Sequence, residues 1–146
     1  MKVRLWLIAL IITLTACRSG IVYEEFQTFD KDGWHKDSVL TFQWIVPDTA
    51  SAYDVLLHVR HTEQYPYQNM WLFVDNKQDT IEFYLADDHG IWLGNKGNGH
   101  ITMPVLYEAE QRFDTDTCRL AIRHGMRQEY LKGVTDLGVE VIKKKN

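Results

Sequence analysis

The stretch Leu40-Thr41-Phe42-Gln43-Trp44-Ile45-Val46 decides the fold of this chain. Every second residue from Leu40 to Val46 is apolar, whereas Thr41 and Gln43 between them are polar. A period of two is typical of a β-strand with one buried face, because successive side chains of a strand point to opposite faces. The dipeptide Pro47-Asp48 ends this strand.

The same period continues through the chain. In a second stretch Tyr53, Val55, Leu57 and Val59 line one face, with Leu56 an exception. Further strands are predicted at residues 23–29, 70–74, 80–85, 100–107, 118–124 and 138–142. Residues 75–78 indicate a hairpin turn, residues 94–99 a turn or mobile loop rich in Gly and Asn, and Pro104 an edge strand or a bulge.

The predicted elements are therefore seven or eight short strands, and no segment offers a convincing amphipathic helix. This pattern predicts an all-β fold, a single antiparallel β-sandwich of jelly-roll or immunoglobulin-like type, in which two sheets bury their alternating faces. A partly closed β-barrel is the alternative. The connections are too short for a parallel α/β sheet.

The first seventeen residues are of a different kind. Lys2 and Arg4 precede an apolar run that is too short for the ~20 residues of a membrane span. The sequence Leu14-Thr15-Ala16-Cys17 resembles a lipobox, the signal-peptidase II motif of bacterial lipoproteins. The resemblance implies that Cys17 becomes the lipidated first residue of the mature protein; an ordinary signal peptide or a membrane anchor is the alternative. We divide the chain into a lipoprotein signal at 1–17, a short tether or first strand at 18–33, and a β-sandwich domain at 34–146.

The charge of the chain excludes one class of partner. The formal charge is 16 − 20 = −4, and loss of Lys2 and Arg4 with the signal makes it 14 − 20 = −6. An acidic domain is a poor match for nucleic acid, whose phosphates require a basic face. The expected partners are the membrane, through the N-terminal lipid, and other proteins of the cell envelope.

Cys118 has no partner within the chain if Cys17 carries lipid. It lies in the alternating pattern Cys118, Leu120, Ile122, which indicates a small buried apolar residue. A reactive thiol and an intermolecular disulfide are the alternatives.

Candidate residues for catalysis or metal binding do not form a recognisable motif. The six histidines include His58 and His61, which would face opposite sides of a strand, and His100 and His124, which only the fold could bring together. Asp87-Asp88-His89-Gly90 is compatible with a divalent cation but equally with an ordinary turn. No nucleophile elbow or phosphate-binding loop is present. We therefore expect no enzyme activity, no cofactor and no metal centre.

Two tryptophans lie in turn-like sequence. Trp34 follows Gly33, and Trp92 lies between Gly90 and Gly94. Such rings can contact a sugar or a protein partner, or they can close the end of a sandwich. A glycan- or ligand-binding β-sandwich lipoprotein is therefore an alternative function.

Several unusual segments occur in a distinctive order along the chain. They are Trp34-His35-Lys36-Asp37-Ser38-Val39, Arg60-His61-Thr62-Glu63-Gln64-Tyr65-Pro66-Tyr67-Gln68-Asn69, Trp71-Leu72-Phe73, Trp92-Leu93-Gly94, Ile122-Arg123-His124-Gly125-Met126-Arg127 and Leu131-Lys132-Gly133-Val134-Thr135-Asp136-Leu137-Gly138. This ordered set resembles the gliding-motility-associated lipoprotein H family (GldH) of Bacteroidota. The resemblance implies a noncatalytic envelope lipoprotein that acts as a scaffold or accessory component of a gliding or secretion apparatus. Arg18-Ser19 lacks the acidic residue that favours inner-membrane retention, so we expect the outer membrane, with either leaflet open.

The loop at residues 62–69 is the part of these segments best suited to contact a partner. Together with the two tryptophans it defines the candidate partner-binding residues, which are Trp34, Tyr65, Pro66, Tyr67, Asn69 and Trp92. We expect Pro66 and the amide of Asn69 to shape the turn and Arg60 to pair with Asp136. The alternative is that these residues specify the fold.

Overall fold

The computed structural model describes residues 20–75 and 78–145. The predicted signal with Cys17, and Asn76 and Lys77 at the tip of the predicted hairpin, lie outside the described residues. The described chain contains strands and no helix, so it includes no helix able to cross a membrane. In chain order the strands are β1 (Ile21–Thr28), β2 (Trp34–His35), β3 (Leu40–Ile45), β4 (Tyr53–His61), β5 (Asn69–Val74), β6 (Asp79–Tyr84), β7 (Asn95–Gly97), β8 (His100–Gln111), β9 (Thr117–His124), β10 (Tyr130–Leu131) and β11 (Val134–Lys143).

The strands form two main antiparallel sheets. One has five strands in the order β1-β11-β4-β8-β7, and the other has four in the order β3-β9-β5-β6. The short strands β2 and β10 pair with each other. Neither main sheet closes into a barrel, so the predicted β-sandwich is confirmed and the barrel alternative is wrong. Eight of the strands have six or more residues, in line with the seven or eight expected.

Alternation decides which face of each sheet is buried. In β3 the side chains of Leu40, Phe42 and Trp44 are buried, and those between them are exposed. In β4 the inward residues from Tyr53 to His61 are all buried as well. Because each sheet buries one apolar face, the two faces meet in one core. This packing removes both faces from water.

Residues 94–99 differ from the expectation of a turn or mobile loop. Residues Asn95–Gly97 form β7, which pairs with the first residues of β8 in a hairpin. At the turn Asn98 adopts a positive φ of 52 degrees. Asn tolerates this conformation, which tight hairpin turns require. The pairing with β7 ends at Thr102, so the rest of β8, including Pro104, borders the sheet on that side. This confirms the predicted edge position of Pro104.

The two ends of the sandwich have different compositions. We call the proximal end the one formed by residues 46–52, 112–116 and 143–145, where Gly20 also lies: the Gly20 carbonyl accepts a hydrogen bond from the Lys143 amide at 2.7 Å. We call the distal end the one formed by residues 29–39, 62–68, 86–94 and 125–133. Strands β4 and β11 run the full distance between the two ends, since Lys143 lies opposite Tyr53 and Val134 lies opposite His61.

Candidate functional site

Hydrogen bonds between distant parts of the chain hold the distal end together. The Thr62 amide donates to the Gly133 carbonyl at 2.8 Å, and the Leu85 amide donates to the Gln68 carbonyl at 2.6 Å. The backbone of Trp92 forms an isolated bridge with Ala86. The loop at 62–68 is thus positioned on one side by the β10–β11 turn and on the other by the segment that follows β6.

The fold of the loop at 62–68 depends on Tyr65. Its side chain is only 3% exposed, and its hydroxyl donates to the Asn69 carbonyl at 2.8 Å. Burial raises the pKa of the Tyr65 phenol, so the group stays a neutral donor. The amide of Asn69 does not shape the turn as expected. It donates instead to Oε1 of Glu82 on the neighbouring strand at 2.6 Å, because Asn69 is already the first residue of β5.

Trp92 lies over the inner side of this loop. Its ring is half-buried, with its centroid 4.8 Å from the ring of His61 and 6.5 Å from the ring of Tyr65. The Tyr65 and Tyr67 rings are 5.7 Å apart at a steep angle. The structure therefore brings Tyr65, Tyr67 and Trp92 into one aromatic cluster, with Pro66 exposed at its edge.

Trp34 is separate from this cluster in its contacts and its burial. Its side chain is fully buried, stacks on Phe29 at 4.8 Å and meets the His124 ring edge-on at 5.4 Å. The indole nitrogen donates to the Ser38 carbonyl at 3.0 Å. In this structure Trp34 offers no ring face to a sugar or a protein, and it packs in the core at the distal end.

Two buried histidines accompany these aromatic residues. His61 donates one hydrogen bond, from Nδ1 to the Thr62 carbonyl at 3.0 Å, and its Nε2 has no partner among the described residues. Neither ring nitrogen of His124 has a hydrogen bond to the described part of the chain. Burial lowers the pKa of both groups, although nearby backbone carbonyls oppose this effect. Both imidazoles are therefore neutral at pH 7.

The other candidate residues take structural partners. His58 and His61 face opposite sides of β4 as predicted, and His58 contacts Glu140 at 2.7 Å on the outer side. Arg60 and Asp136 are directly opposite each other on β4 and β11, but the prediction that they form an ion pair is wrong. Arg60 stacks over the ring of Phe26 at 3.8 Å, and Asp136 accepts from Thr28 at 2.7 Å.

The remaining polar candidates do not converge. The Asp87 carboxylate accepts hydrogen bonds from the backbone amides of His89 and Ile91, as an Asp side chain commonly does in a turn. Within residues 20–75 and 78–145 no three His, Cys, Asp or Glu side chains are placed to hold a metal ion. Cys118 is buried as predicted, and burial, followed by the charge of Asp116, raises its thiol pKa.

Comparison with known proteins decides the family. A family model described as GldH lipoprotein matches residues 21–141. The chain belongs to the GldH lipoprotein family. It is similar to a gliding motility lipoprotein GldH homolog of Christiangramia forsetii, with 29% identity over 152 residues that cover 93% of this chain and 92% of the relative. It is also similar to the gliding motility lipoprotein GldH of Flavobacterium johnsoniae, with 30% identity over 147 residues that cover 91% of each chain. No solved structure is significantly similar.

The segments quoted above for their resemblance to the GldH family lie far apart in sequence, but most of them meet in space. Those starting at Trp34, Arg60, Trp92 and Leu131 all enter or form the distal end, and the segment from Ile122 to Arg127 ends there. Few of their residues lie at the proximal end, where the chain leads back toward Cys17. These segments are therefore concentrated at the end of the sandwich opposite Gly20.

A groove on the outer side of the distal end was not predicted from the sequence. It has a volume of about 350 Å³ and is lined by Tyr67, Asn69, Trp71, Gly125, Met126, Arg127 and Gln128. Trp71 follows the strand pattern of β5 but points outward, and 38% of its surface is exposed. Its amide donates to the sulfur of Met126 at 3.4 Å. An aromatic residue at an outward position of a strand was the only sequence signal for this groove.

Proposed function

We propose that this GldH-family chain is a noncatalytic, lipid-anchored envelope protein that serves as a scaffold or accessory component of a gliding or secretion apparatus. We further propose that the lipid on Cys17 holds it in the outer membrane and that the distal end contacts partner proteins. The family membership supports the first part, because the two relatives are named as gliding motility lipoproteins.

The observation that carries the proposal is the separation of the two ends. Gly20 lies at the proximal end, hydrogen-bonded to Lys143. The three residue steps from Cys17 to Gly20 reach at most ~11 Å, even when the chain is fully extended. Strand β4 has nine residues and runs from one end to the other. A strand of that length spans ~30 Å. A lipid on Cys17 would therefore keep the proximal end beside the bilayer and direct the distal end away from it.

Tethering explains how such a protein works without a catalytic site. A lipid anchor confines the domain to the plane of the membrane, which raises its effective concentration for partners in the same membrane. The exposed Pro66 and the half-buried rings of Tyr67 and Trp92 then form the contact surface, supported by buried Tyr65, whereas Trp34 stabilises the core of the distal end. Aromatic residues that are held rigidly are typical of protein–protein contact sites.

The test separates anchoring from folding. The variant Cys17→Ala is expressed in the source bacterium, its distribution between membrane and soluble envelope fractions is measured, and surface movement or secretion is scored. We expect release from the membrane, an unchanged thermal unfolding curve, and loss of the cellular function. Cys118→Ala is the matched control, because it also removes a thiol but should leave the chain in the outer-membrane fraction. Full function of unanchored Cys17→Ala would refute tethering.

A further inference from the structure

The outward side of the four-stranded sheet carries an unusual combination of residues. Strand pairing places Trp71 and Phe73 of β5 on the same face as Arg119 and Arg123 of β9. Arg127 follows in the loop after β9 and lines the groove beside Trp71. We call these five residues the arginine–aromatic face.

A missing side chain at Gly125 lets this face form. The Gly125 amide donates to the Trp71 carbonyl at 2.6 Å, and a Cβ atom there would lie 3.1 Å from the Cβ of Trp71 and 3.2 Å from the Phe73 ring. The chain therefore passes close to the Cβ of Trp71 and to the Phe73 ring, and the next two residues, Met126 and Arg127, line the groove. The result is a groove with apolar walls and an arginine at its rim.

The arginines of this face form no ion pair within the described parts of the chain. The guanidinium of Arg123 lies 5.7 Å from the centre of the Phe73 ring, and Arg119 donates to the Thr41 hydroxyl at 3.4 Å. None of the three arginines lies within ion-pair distance of a carboxylate in residues 20–75 and 78–145. The face is thus a local concentration of positive charge on a chain whose formal charge is −4.

We propose that the arginine–aromatic face binds an acidic, extended segment of a partner protein. This inference rests on the proposed function and names the chemistry of the partner. Exposed arginines and aromatic rings are the residues that contribute most to protein interfaces, and a guanidinium can bind a carboxylate through two parallel hydrogen bonds. The open groove next to Trp71 accommodates an apolar side chain between the charged contacts.

The arrangement favours a peptide with spaced carboxylates over a uniform polyanion. Glu82 lies directly opposite Trp71 on the same face, and its carboxylate already accepts the Asn69 amide. A continuous anionic polymer would be repelled there, whereas a peptide can place an uncharged residue at that point.

Arg119 and Arg123 are four strand residues apart, a distance of ~13 Å, which matches carboxylates four residues apart in an extended peptide.

The test is selection from a library of random peptides about nine residues long, enough to span the ~13 Å between the two strand arginines. The bait is the purified full chain in detergent.

The binding affinity of the selected peptides is then measured for the variants Arg123→Glu/Arg127→Glu and Lys36→Glu/Lys132→Glu. Lys36 and Lys132 are exposed distal-end cations outside the face, so this control makes the same change in net charge. Thermal unfolding confirms that each variant is folded, and Arg123→Gln/Arg127→Gln replaces the reversal variant if that one is not.

We expect the selected peptides to be rich in Asp and Glu and to bind the arginine variant at least about tenfold more weakly, because reversal turns attraction into repulsion. The lysine control should bind as the parent chain does. Binding should also weaken as salt rises from about 0.05 M to about 0.5 M. Neutral or basic peptides, no enrichment at all, or equal binding to the arginine variant would overturn the inference.

Two other ligands of the arginine–aromatic face would give distinct results, and either result would overturn the inference. A second copy of the chain would appear as concentration-dependent dimerisation in sedimentation, lost in the arginine variant. An anionic polysaccharide would bind the parent chain and not the variant, while no acidic peptide is selected. If Cys17→Ala abolishes cellular function but no acidic peptides are selected, only this inference fails. If unanchored Cys17→Ala is fully functional, the proposed function fails, whichever peptides are selected.

Discussion

The ring of Trp92 meets the ring of His61 at 60°, with the two centroids 4.8 Å apart. His61 is the last residue of β4 and is fully buried, although its Nε2 has no hydrogen bond among the described residues. The contact therefore closes the distal end of the sandwich over a polar group that water would otherwise reach. Trp92 combines a structural role on its inner side with partial exposure on its outer side.

We expect Trp92→Ala to lower the free energy of unfolding by about 2 kcal/mol, less than for a fully buried tryptophan because the ring is half-buried. Urea unfolding followed by circular dichroism measures the change. Trp71→Ala is the control, since its side chain lies on the outer face and is more exposed. Its loss should be under about 1 kcal/mol. Equal stability of Trp92→Ala and the parent chain would mean that the ring does not close the distal end.

Acid should destabilise the protein through His61 and His124. Burial lowers the pKa of both groups in the folded state. In the unfolded chain both titrate near their ordinary pKa of about 6.5. Below about pH 6.5 the unfolded state therefore binds more protons, and stability falls with pH by up to ~1.4 kcal/mol per pH unit for each histidine, until the pH drops below the folded-state pKa. The stabilising effect of the low pKa of Asp48, about 2, is lost only in a more acidic range, below its unfolded value of 3.8.

The measurement is the urea midpoint between about pH 7.5 and about pH 5, a range that brackets the unfolded histidine pKa. His124→Leu removes one of the two buried imidazoles and should reduce the slope by roughly half. His89→Leu removes an exposed imidazole in a turn and should leave the slope unchanged. A slope that is the same in all three proteins would contradict the assignment of the acid effect to the buried histidines.

Gly133 sets the distance between the β10–β11 turn and the loop at 62–68. It adopts a φ of +84°, and a Cβ atom there would lie 2.6 Å from the Cα of Tyr65. Gly133→Ala should therefore cost more than the ~1–2 kcal/mol of the left-handed conformation alone, because two backbone segments must also move apart. Gly90 has a similar φ of +77° but nothing within 4 Å, so Gly90→Ala isolates the conformational cost.

Thermal and urea unfolding of the two alanine variants give the comparison. Amide hydrogen exchange of the loop at 62–68 adds a local readout, which should rise in Gly133→Ala and remain unchanged in Gly90→Ala. Equal destabilisation by the two substitutions would show that the close approach to Tyr65 contributes nothing.

Cys118 should be unreactive in the folded protein. Its side chain is buried, and burial raises its pKa. The group therefore stays a thiol, whereas the thiolate is the reactive form. In a Cys17→Ala background, Cys118 is the only cysteine, so modification by a disulfide reagent should be slow until urea unfolds the chain. Moving the thiol to an exposed position, with Cys118→Ala and Ile45→Cys, should restore rapid modification. Rapid reaction of native Cys118 would show that its pocket opens.

Strand positions were predictable because a buried sheet face leaves a local signal. The alternation from Leu40 to Val46 predicted β3 to within one residue of its observed end at Ile45. Where a strand has no buried apolar residue the signal disappears: β7, which consists of Asn95–Gly97, was expected as a turn or loop. Its pairing with β8 depends on backbone hydrogen bonds that nearly any residue can form.

Side-chain partners were less predictable than strands. Arg60 and Asp136 were expected to pair. They lie opposite each other, but Arg60 stacks on the ring of Phe26 and Asp136 accepts a hydrogen bond from the hydroxyl of Thr28. These competing partners belong to β1, which pairs with β11 across more than a hundred residues of sequence. No local sequence pattern indicates which residue of a distant strand a side chain will contact.

The sequence by itself determined the class of the fold, the buried faces of β3 and β4, the position of Cys17 in a lipobox-like segment and the family. Each of these depends on the order of residues over short stretches, through side-chain periodicity or a linear motif. Only the tertiary structure decided that Trp34 is buried in the core while Trp92 lies half-exposed beside His61, and that Trp71 and three arginines share one outer face. Those arrangements depend on contacts between strands that are distant in the chain, and they arise only when the two sheets pack together.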